Sequence, residues 1–164
     1  MIELTISGLG IDSSNNSPVI LLKEKNGERV LPIWIGPSEA SAIAMEISGV
    51  KFKRPLTHDL FKQCLLELGV VLEYIYIHEL KENTYYARIY LNHKGKRFEL
   101  DARPSDSIAL ALRMNAPIHT TDELLESASK IMPKTVTQTE EYDPEILRET
   151  LRKMNPEDFG KFSF

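Results

Sequence analysis

Two short stretches of the chain carry residue types that could bind a phosphate and hydrolyse its ester. Residues 54–59 read Arg-Pro-Leu-Thr-His-Asp, and residues 101–107 read Asp-Ala-Arg-Pro-Ser-Asp-Ser. Each has an Arg-Pro pair, then a hydroxyl residue and an aspartate, and each opens an apolar run with helical spacing. Because a helix N-terminus attracts anions, both stretches are candidates for holding a phosphate. The structural alternative is a pair of good helix caps whose arginines form salt bridges.

The chemistry that these residue types permit is metal-assisted hydrolysis of a phosphodiester. Arginines clamp phosphate oxygens, carboxylates bind Mg²⁺ or Mn²⁺, and a histidine transfers a proton near neutral pH. The catalytic candidates are Glu39, His58, Asp59, Asp101 and Asp106. The phosphate-binding candidates are Arg54, Thr57, Arg103, Ser105 and Ser107. The candidate metal ligands are Asp59, Asp101 and Asp106, so this hypothesis requires those three carboxylates to converge.

Motifs of several other enzyme classes are missing from the sequence. It contains no H-E-x-x-H, no paired C-x-x-C, no phosphate-binding G-x-x-x-x-G-K-[ST] and no G-x-S-x-G. Cys64 is the single cysteine, so an intrachain disulfide is excluded and a reducing compartment is expected. Its apolar neighbours at helical spacing predict a buried core thiol.

Length and charge favour a small globular protein. The 164 residues suggest one domain with room for a terminal element, and hydrophobic residues make up 42%. A formal net charge of −4 argues against a broadly basic surface that coats nucleic acid. The N-terminus has no basic region or apolar signal core, and no stretch has the length of a membrane span. We therefore expect a cytoplasmic protein without a membrane partner.

Hydrophobic periodicity predicts six main strands and four helices. The strands are expected at residues 2–7, 18–24, 29–35, 70–80, 84–92 and 96–102, with 117–118 a candidate for a further short strand. The helices are expected at about residues 37–48, 57–68, 104–114 and 121–130. The fold class is α+β: a mixed, largely antiparallel sheet packed by three to four helices. Composition shifts after Pro133, which predicts a domain over residues 1–133 and a helical C-terminal extension over 134–164.

Local signals refine these elements. Residues 8–17 are rich in Gly, Ser and Asn and predict a loop. Asn26-Gly27 predicts a hairpin turn with positive φ, and Pro32 predicts an edge strand or a bulge. Thr120 and Glu123 match a capping box at the start of the last helix. Trp34 is expected in the core or at a subunit contact.

Three blocks of the sequence resemble the bifunctional nuclease domain family. They are Leu-Pro-Ile-Trp-Ile-Gly-Pro-Ser-Glu-Ala at 31–40, the Arg-Pro stretch at 54–59, and Asp-Ala-Arg-Pro-Ser-Asp-Ser-Ile-Ala at 101–109. The blocks follow the family's order, and the resemblance covers about residues 1–130. The chain is similar to the small bacterial, thermophile-type member of the family. Nine of the candidate residues named above fall at the family's polar motif positions: Glu39, Arg54, Thr57, His58, Asp59, Asp101, Arg103, Ser105 and Asp106.

This resemblance implies a single α/β domain with a mixed sheet, a homodimer, and nuclease activity on RNA and single-stranded DNA, the activity attributed to plant members. Whether the chain is an enzyme stays open between two hypotheses. The first is a nuclease, with Mg²⁺ or Mn²⁺ as a compatible cofactor. The second is a non-catalytic module that binds an anion or a protein and has a structural Arg/Asp network.

Overall fold

A mixed sheet is the centre of the computed structural model, which describes residues 1–131 and 136–137. Its strands are β1 (Ile2–Asp12), β2 (Ser17–Glu24), β3 (Val30–Trp34), β4 (Val70–Lys81), β5 (Thr84–His93), β6 (Lys96–Ala102), β7 (Ile118–Thr120) and β8 (Val136–Thr137). Its helices are α1 (Pro37–Ile47), α2 (Thr57–Glu67), α3 (Pro104–Met114) and α4 (Asp122–Ser129). The prediction of an α+β fold with four helices is confirmed.

The strands follow the order β3-β2-β1-β7-β4-β5-β6, and β8 pairs with the end of β1. Only the contact between β4 and β7 is parallel among the described strands, so the sheet is largely antiparallel, as predicted. Pro32 lies in β3, an edge strand, where a missing N–H costs no ladder bond. The predicted C-terminal extension lies outside the described residues, apart from β8.

Tight turns join β4, β5 and β6 into a meander. Glu82 and Asn83 between β4 and β5, and Lys94 and Gly95 between β5 and β6, all have positive φ. Paired positive φ angles are the requirement of the two-residue hairpin turn that matches strand twist. The β2–β3 hairpin was also predicted correctly, but for the wrong reason. Its connection is longer and is closed by the Gly27 N–H on the Glu24 carbonyl, without positive φ at Asn26 or Gly27.

One hydrophobic core collects side chains from all four helices and from β1–β5 and β7. Helix α3 is its central element, because residues 107–111 are all buried. A helix that is apolar nearly all round is expected in such a position. The polar first turn of α3 therefore emerges from the core at a fixed place on the surface. Among the described residues, no helix has the length and apolar content needed to cross a bilayer.

Two local predictions were wrong because tertiary pairing outweighed local composition. Residues 8–12, predicted as loop, continue β1 past a bulge at Gly8, since their backbone bonds to β2. The cap of α4 is Thr121, whose hydroxyl accepts the Leu124 N–H. The Thr120 hydroxyl instead donates to the Ile77 carbonyl inside the sheet.

The side of helix α2 that was predicted to face the core faces solvent instead. Cys64 is exposed, and so are Leu60, Phe61 and Leu68 on the same side of the helix. The inward side carries His58 and Asp59, with Leu65 as its one buried residue. Polar contacts to α3 thus orient α2 and leave an apolar stripe, defined here as Leu60, Phe61, Cys64 and Leu68, in solvent.

Replacing Leu110 with alanine should lower the free energy of unfolding by about 2–5 kcal/mol, because a cavity would open in the core. Leu66→Ala is the matched control, since Leu66 is 56% exposed. Its effect should stay within about 0.5 kcal/mol. Urea denaturation followed by circular dichroism measures both. Equal losses in the two variants would contradict the central position of α3.

Candidate functional site

The first turn of α3 begins the candidate site. Arg103 is the N-cap residue and Pro104 follows at the first helical position. The Ser107 hydroxyl and N–H both donate to the Arg103 carbonyl, at 2.9 and 3.0 Å. Ser107 is fully buried, so its hydroxyl serves the helix start and lies away from the surface. The Arg103 side chain projects outward from this fixed backbone.

The Arg103 guanidinium joins two carboxylates from different helices. Its Nε and Nη2 donate to Asp106 Oδ2 and Oδ1 at 2.7 and 3.1 Å. Its Nη1 donates to Glu39 Oε1 at 2.8 Å, which connects α3 to the first turn of α1. A guanidinium has five N–H donors, so two are left for a ligand. The Arg103 side chain is 65% exposed and can reach a ligand from solvent.

His58 completes this group from α2. Its Nε2 lies 3.3 Å from Asp106 Oδ1, and its side chain is mostly buried. Burial alone would raise the pKa of Asp106, but the hydrogen bonds and charges of Arg103 and His58 hold it below its ordinary value. Asp106 is therefore ionised at neutral pH and orients the imidazole. We call Glu39, His58, Arg103 and Asp106 the Arg103 cluster.

A second ion pair lies deeper between the same helices. Arg113 is 4% exposed, and its Nε donates to Asp59 Oδ1 at 2.7 Å. Its other nitrogens donate to the carbonyls of Ala109 and Ala42 at 3.0 and 3.1 Å, so the guanidinium links α1, α2 and α3. Burial raises the pKa of Asp59, but Arg113 and the Leu56 N–H lower it to a net value below normal. Sequence reasoning missed Arg113, although an arginine inside an otherwise apolar helix was a visible signal.

A cleft of about 380 Å³ adjoins the Arg103 cluster. Its polar and aromatic lining comes from four parts of the chain: Ser17, Trp34, Glu39, Asn83, Tyr85, Arg103 and Ser105. Trp34 is half-buried, and its indole N–H donates to Asp12 Oδ2 at 2.8 Å, which fixes the ring at the cleft wall. Burial raises the pKa of Tyr85 to about 12, and its hydroxyl has no hydrogen-bond partner among the described residues. This hydroxyl is therefore protonated at neutral pH and buried in the cleft wall.

Several predicted site residues lie outside the Arg103 cluster. Arg54 and Thr57 are exposed just before and at the start of α2, with no side-chain bond to the residues that the structure describes. Asp101 is exposed on β6 opposite Arg88 and likewise lacks a described partner. Ser105 is nearly buried beneath the cleft.

The predicted metal ligands do not form one group within a single chain. Asp59 bonds to Arg113, Asp106 bonds to Arg103, and Asp101 lies on the edge strand β6. Within residues 1–131 and 136–137, no three His, Cys, Asp or Glu side chains could together hold a metal ion. The metal assignment thus stays a prediction. It requires the three carboxylates to come together, and within the described part of one chain they do not.

Comparison with known proteins adds a family match to this geometry. The model of the bifunctional nuclease domain matches residues 20–133. An uncharacterised protein of Mycobacterium tuberculosis is 40% identical over 162 residues, which cover 96% of this chain and 97% of the relative. Bifunctional nuclease 1 of Oryza sativa subsp. japonica is 27% identical over 110 residues, which cover 65% of this chain and 33% of the relative. Bifunctional nuclease 2 of the same plant is 29% identical over 115 residues, which cover 68% of this chain and 35% of the relative. The chain thus spans about a third of the plant proteins' length.

The Asp59–Arg113 pair gives a pH-dependent prediction. Asp59→Asn should lower the free energy of unfolding at pH 7 by about 1.5–3 kcal/mol, because it removes a charged hydrogen bond from a buried guanidinium. The folded pKa of Asp59 is lowered from 3.8, so this stabilisation is present above that value and is lost as the pH falls through the folded pKa. The difference between the wild type and the variant should therefore shrink on acidification.

Urea denaturation at a series of pH values measures this difference. Asp101→Asn is the control, because Asp101 is exposed and without a described partner, and it should change stability by less than about 0.5 kcal/mol. If the difference in the free energy of unfolding between the wild type and Asp59→Asn stayed constant down to strong acid, the assigned role of the Asp59 charge would be wrong.

Proposed function

Because this chain belongs to the bifunctional nuclease domain family, we propose that it hydrolyses phosphodiester bonds of RNA and single-stranded DNA. The observation that carries the proposal is the Arg103 cluster at the edge of the aromatic cleft. There, an exposed cation, a histidine and two carboxylates from three helices meet. Phosphoryl chemistry needs such a cation for the phosphate and a group that moves protons.

Arg103 is assigned to the scissile phosphate. Asp106 and Glu39 hold its guanidinium from two sides, so little side-chain freedom is lost when a phosphate binds. The hydrogen bond to Asp106 keeps the pKa of Arg103 above normal, and the charge is permanent. Its two remaining N–H groups can contact phosphate oxygens as negative charge develops in the transition state.

His58 is assigned to proton transfer. Its Nε2 faces Asp106, so Nδ1 is the atom left to accept a proton from water or to donate one to the leaving oxygen. Asp106 fixes the ring orientation and stabilises the imidazolium that forms. Glu39 holds Arg103 and is a second carboxylate within the same group.

The cleft supports a single-stranded substrate. Trp34 offers an aromatic surface in the cleft that Arg103 also lines. An unpaired base can stack on such a ring, which contributes about 1–3 kcal/mol and tolerates any base. A base inside a duplex could not enter without leaving its stack. This arrangement suits both RNA and single-stranded DNA.

The proposal assigns no step to a metal ion, because the candidate carboxylates of one chain do not converge among the described residues. Mg²⁺ or Mn²⁺ remains a compatible cofactor on the chemistry of the oxygen ligands alone. The alternative function is binding of a phosphate-bearing ligand without turnover. This alternative is favoured by the ion pairs of Arg103 with Glu39 and Asp106, because an arginine paired with two carboxylates is also typical of a purely structural network.

The test is cleavage of labelled single-stranded DNA and RNA by the purified full chain, with Mg²⁺, Mn²⁺ or EDTA. His58→Gln should lower kcat by about 100-fold or more, the range of a lost general acid or base. Arg103→Gln should lower kcat/KM. Asp106→Asn should lower both kcat and kcat/KM, because Asp106 holds both His58 and Arg103 in position. His93→Gln, in the strand β5, is the matched control and should cleave as the wild type does.

Cleavage that the His58, Arg103 and Asp106 variants leave unchanged would point to a contaminating nuclease. Binding of the oligonucleotide without cleavage under any metal condition would favour the non-catalytic alternative. Loss of cleavage in EDTA, together with the variant effects, would establish a metal requirement.

The expected homodimer is assigned to the edge strand β6. Phe98 and Leu100 are 40% and 41% exposed on the helix-covered side, opposite Leu91 and Ile89 of β5. An open edge with apolar side chains favours pairing with another strand. In a two-fold antiparallel pairing centred on Glu99, Phe98 faces Leu100 of the partner subunit.

The charges of β6 suit the same pairing. The register that pairs Phe98 with Leu100 also brings Arg97, which pairs with Glu73 of its own chain, opposite Asp101 of the partner subunit, twice per dimer. The two Glu99 side chains meet at the axis, and each is balanced by Arg88 of its own chain.

Leu100→Glu should weaken dimerisation by at least about tenfold, because each dimer would bury two unpaired charges. Sedimentation velocity over a range of concentrations measures the dissociation constant. Leu66→Glu is the control, since Leu66 is exposed on α2 outside the apolar stripe. A wild-type protein that stays monomeric at all concentrations, or a Leu100→Glu dimer of wild-type strength, would refute the β6 interface.

Cytoplasmic location and a thermophilic source remain predictions. Location rests on cysteine usage, which suits a reducing compartment. Heat stability is favoured by ion-pair networks, and Arg29 forms one with Glu24 and Asp122 that ties the β2–β3 hairpin to α4.

A further inference from the structure

A second cavity, of about 300 Å³, lies between the end of α1 and the start of α2. Four cationic side chains line it: Lys51, Lys53, Lys62 and Arg113. Two carboxylates, Glu46 and Asp59, line it as well. The lining thus has two more positive than negative charges, in a chain whose formal net charge is −4. A local excess of positive charge on an acidic protein is a feature that structural packing does not require.

Both carboxylates are already committed to cations of the cavity. Asp59 bonds to the buried Arg113 at 2.7 Å, and Glu46 lies 3.7 Å from Lys51 and 3.9 Å from Arg113. Lys53 and Lys62 form no ion pair with the described residues, and Lys53 is exposed. Two ammonium groups are therefore available to an anionic ligand that enters from solvent.

The surroundings favour a phosphate group over other anions. Pro55 and Leu56, directly before the first turn of α2, line the mouth, so the positive end of the helix dipole adds to the lysine charges. Lysine binds phosphate as a point charge without strict geometry. The apolar lining, which includes Met45 and Phe52, suits the carbon skeleton that carries the phosphate.

The cavity and the Arg103 cluster share the first turn of α2. His58 contacts Asp106 in the cluster, while the next residue, Asp59, lines the cavity. Two adjacent residues in the first turn of α2 thus reach the Arg103 cluster and the cavity, respectively. The cluster and the cavity therefore lie at the same end of α2.

We propose that this lysine-rimmed cavity binds a further phosphate of the same nucleic-acid strand whose scissile phosphate lies at Arg103. This subsite rests on the proposed function for the identity of its ligand. It supplies binding affinity and the register of the strand, and Lys53 and Lys62 take no part in bond cleavage.

The test is binding of a labelled single-stranded oligothymidine to the full chain in EDTA, by fluorescence anisotropy at several salt concentrations. Lys53→Gln/Lys62→Gln should weaken binding about tenfold and reduce the slope of log K against log salt by about 0.7 for each lost contact. Lys94→Gln/Lys130→Gln carries the same charge change just after β5 and at the end of α4, outside the lining of both the cavity and the cleft, and should bind like the wild type. Circular dichroism checks that both double variants fold.

Equal affinity and slope in the wild type and in Lys53→Gln/Lys62→Gln would overturn the subsite, and so would a wild-type protein that does not bind the oligonucleotide. An equal loss of affinity in Lys94→Gln/Lys130→Gln would show that only net charge matters and would also overturn the subsite. Inorganic pyrophosphate serves as a competitor. If the Lys53/Lys62 double variant loses pyrophosphate binding but keeps strand binding, the cavity takes a free phosphate compound and the strand assignment is wrong.

Cleavage assays on the same proteins separate this inference from the proposed function. Strand binding that depends on Lys53 and Lys62, without cleavage under any condition, would retain the subsite and refute the nuclease. Cleavage that depends on His58 and Arg103, with unchanged binding in the Lys53/Lys62 double variant, would retain the nuclease and refute the subsite.

Discussion

The buried guanidinium of Arg113 is the interaction on which the arrangement of the helices depends. It bonds to a carboxylate from α2, to a carbonyl from α1 and to a carbonyl of its own helix α3. A buried charge is costly unless it is fully paired, so the three helices must keep the distances that satisfy it. Any shift of α2 would leave either Arg113 or Asp59 without its partner.

This constraint explains why α2 exposes apolar residues. With Asp59 directed at Arg113, His58 is turned toward Asp106 and the Leu60–Leu68 side is turned to solvent. The orientation that builds the Arg103 cluster is therefore the one that creates an apolar stripe. An exposed apolar surface of this kind is typical of a contact with another protein surface. The arrangement of the candidate site and the exposure of the apolar stripe are two consequences of one ion pair.

Charge compensation is the common feature of the candidate site. Arg103 lies between Glu39 and Asp106, and its guanidinium donates hydrogen bonds to both carboxylates. Such a network lets an acidic protein place exposed arginine and lysine donors at a cleft without general basic character. Phosphate binding would then depend on a few positioned donors rather than on net charge.

Local sequence patterns predicted the helices, the family and most of the strands, although residues 8–12 of β1 were predicted as loop. Period-two and helical spacing predicted all four helices and the meander, because each element is set by its own apolar pattern and turn residues. The sequence also identified Glu39, His58, Arg103 and Asp106, because their residue types stand at predicted strand ends and helix starts.

Contacts between distant parts of the chain set which of those residues meet. Arg113, 54 positions after Asp59, pairs with it and turns α2 over, and no local pattern encodes a contact across that separation. Asp101 and Asp59 therefore lie apart from Asp106, and Cys64 is exposed. The periodicity of a helix shows that it has an apolar side, but the partners of its polar residues determine which side faces the core.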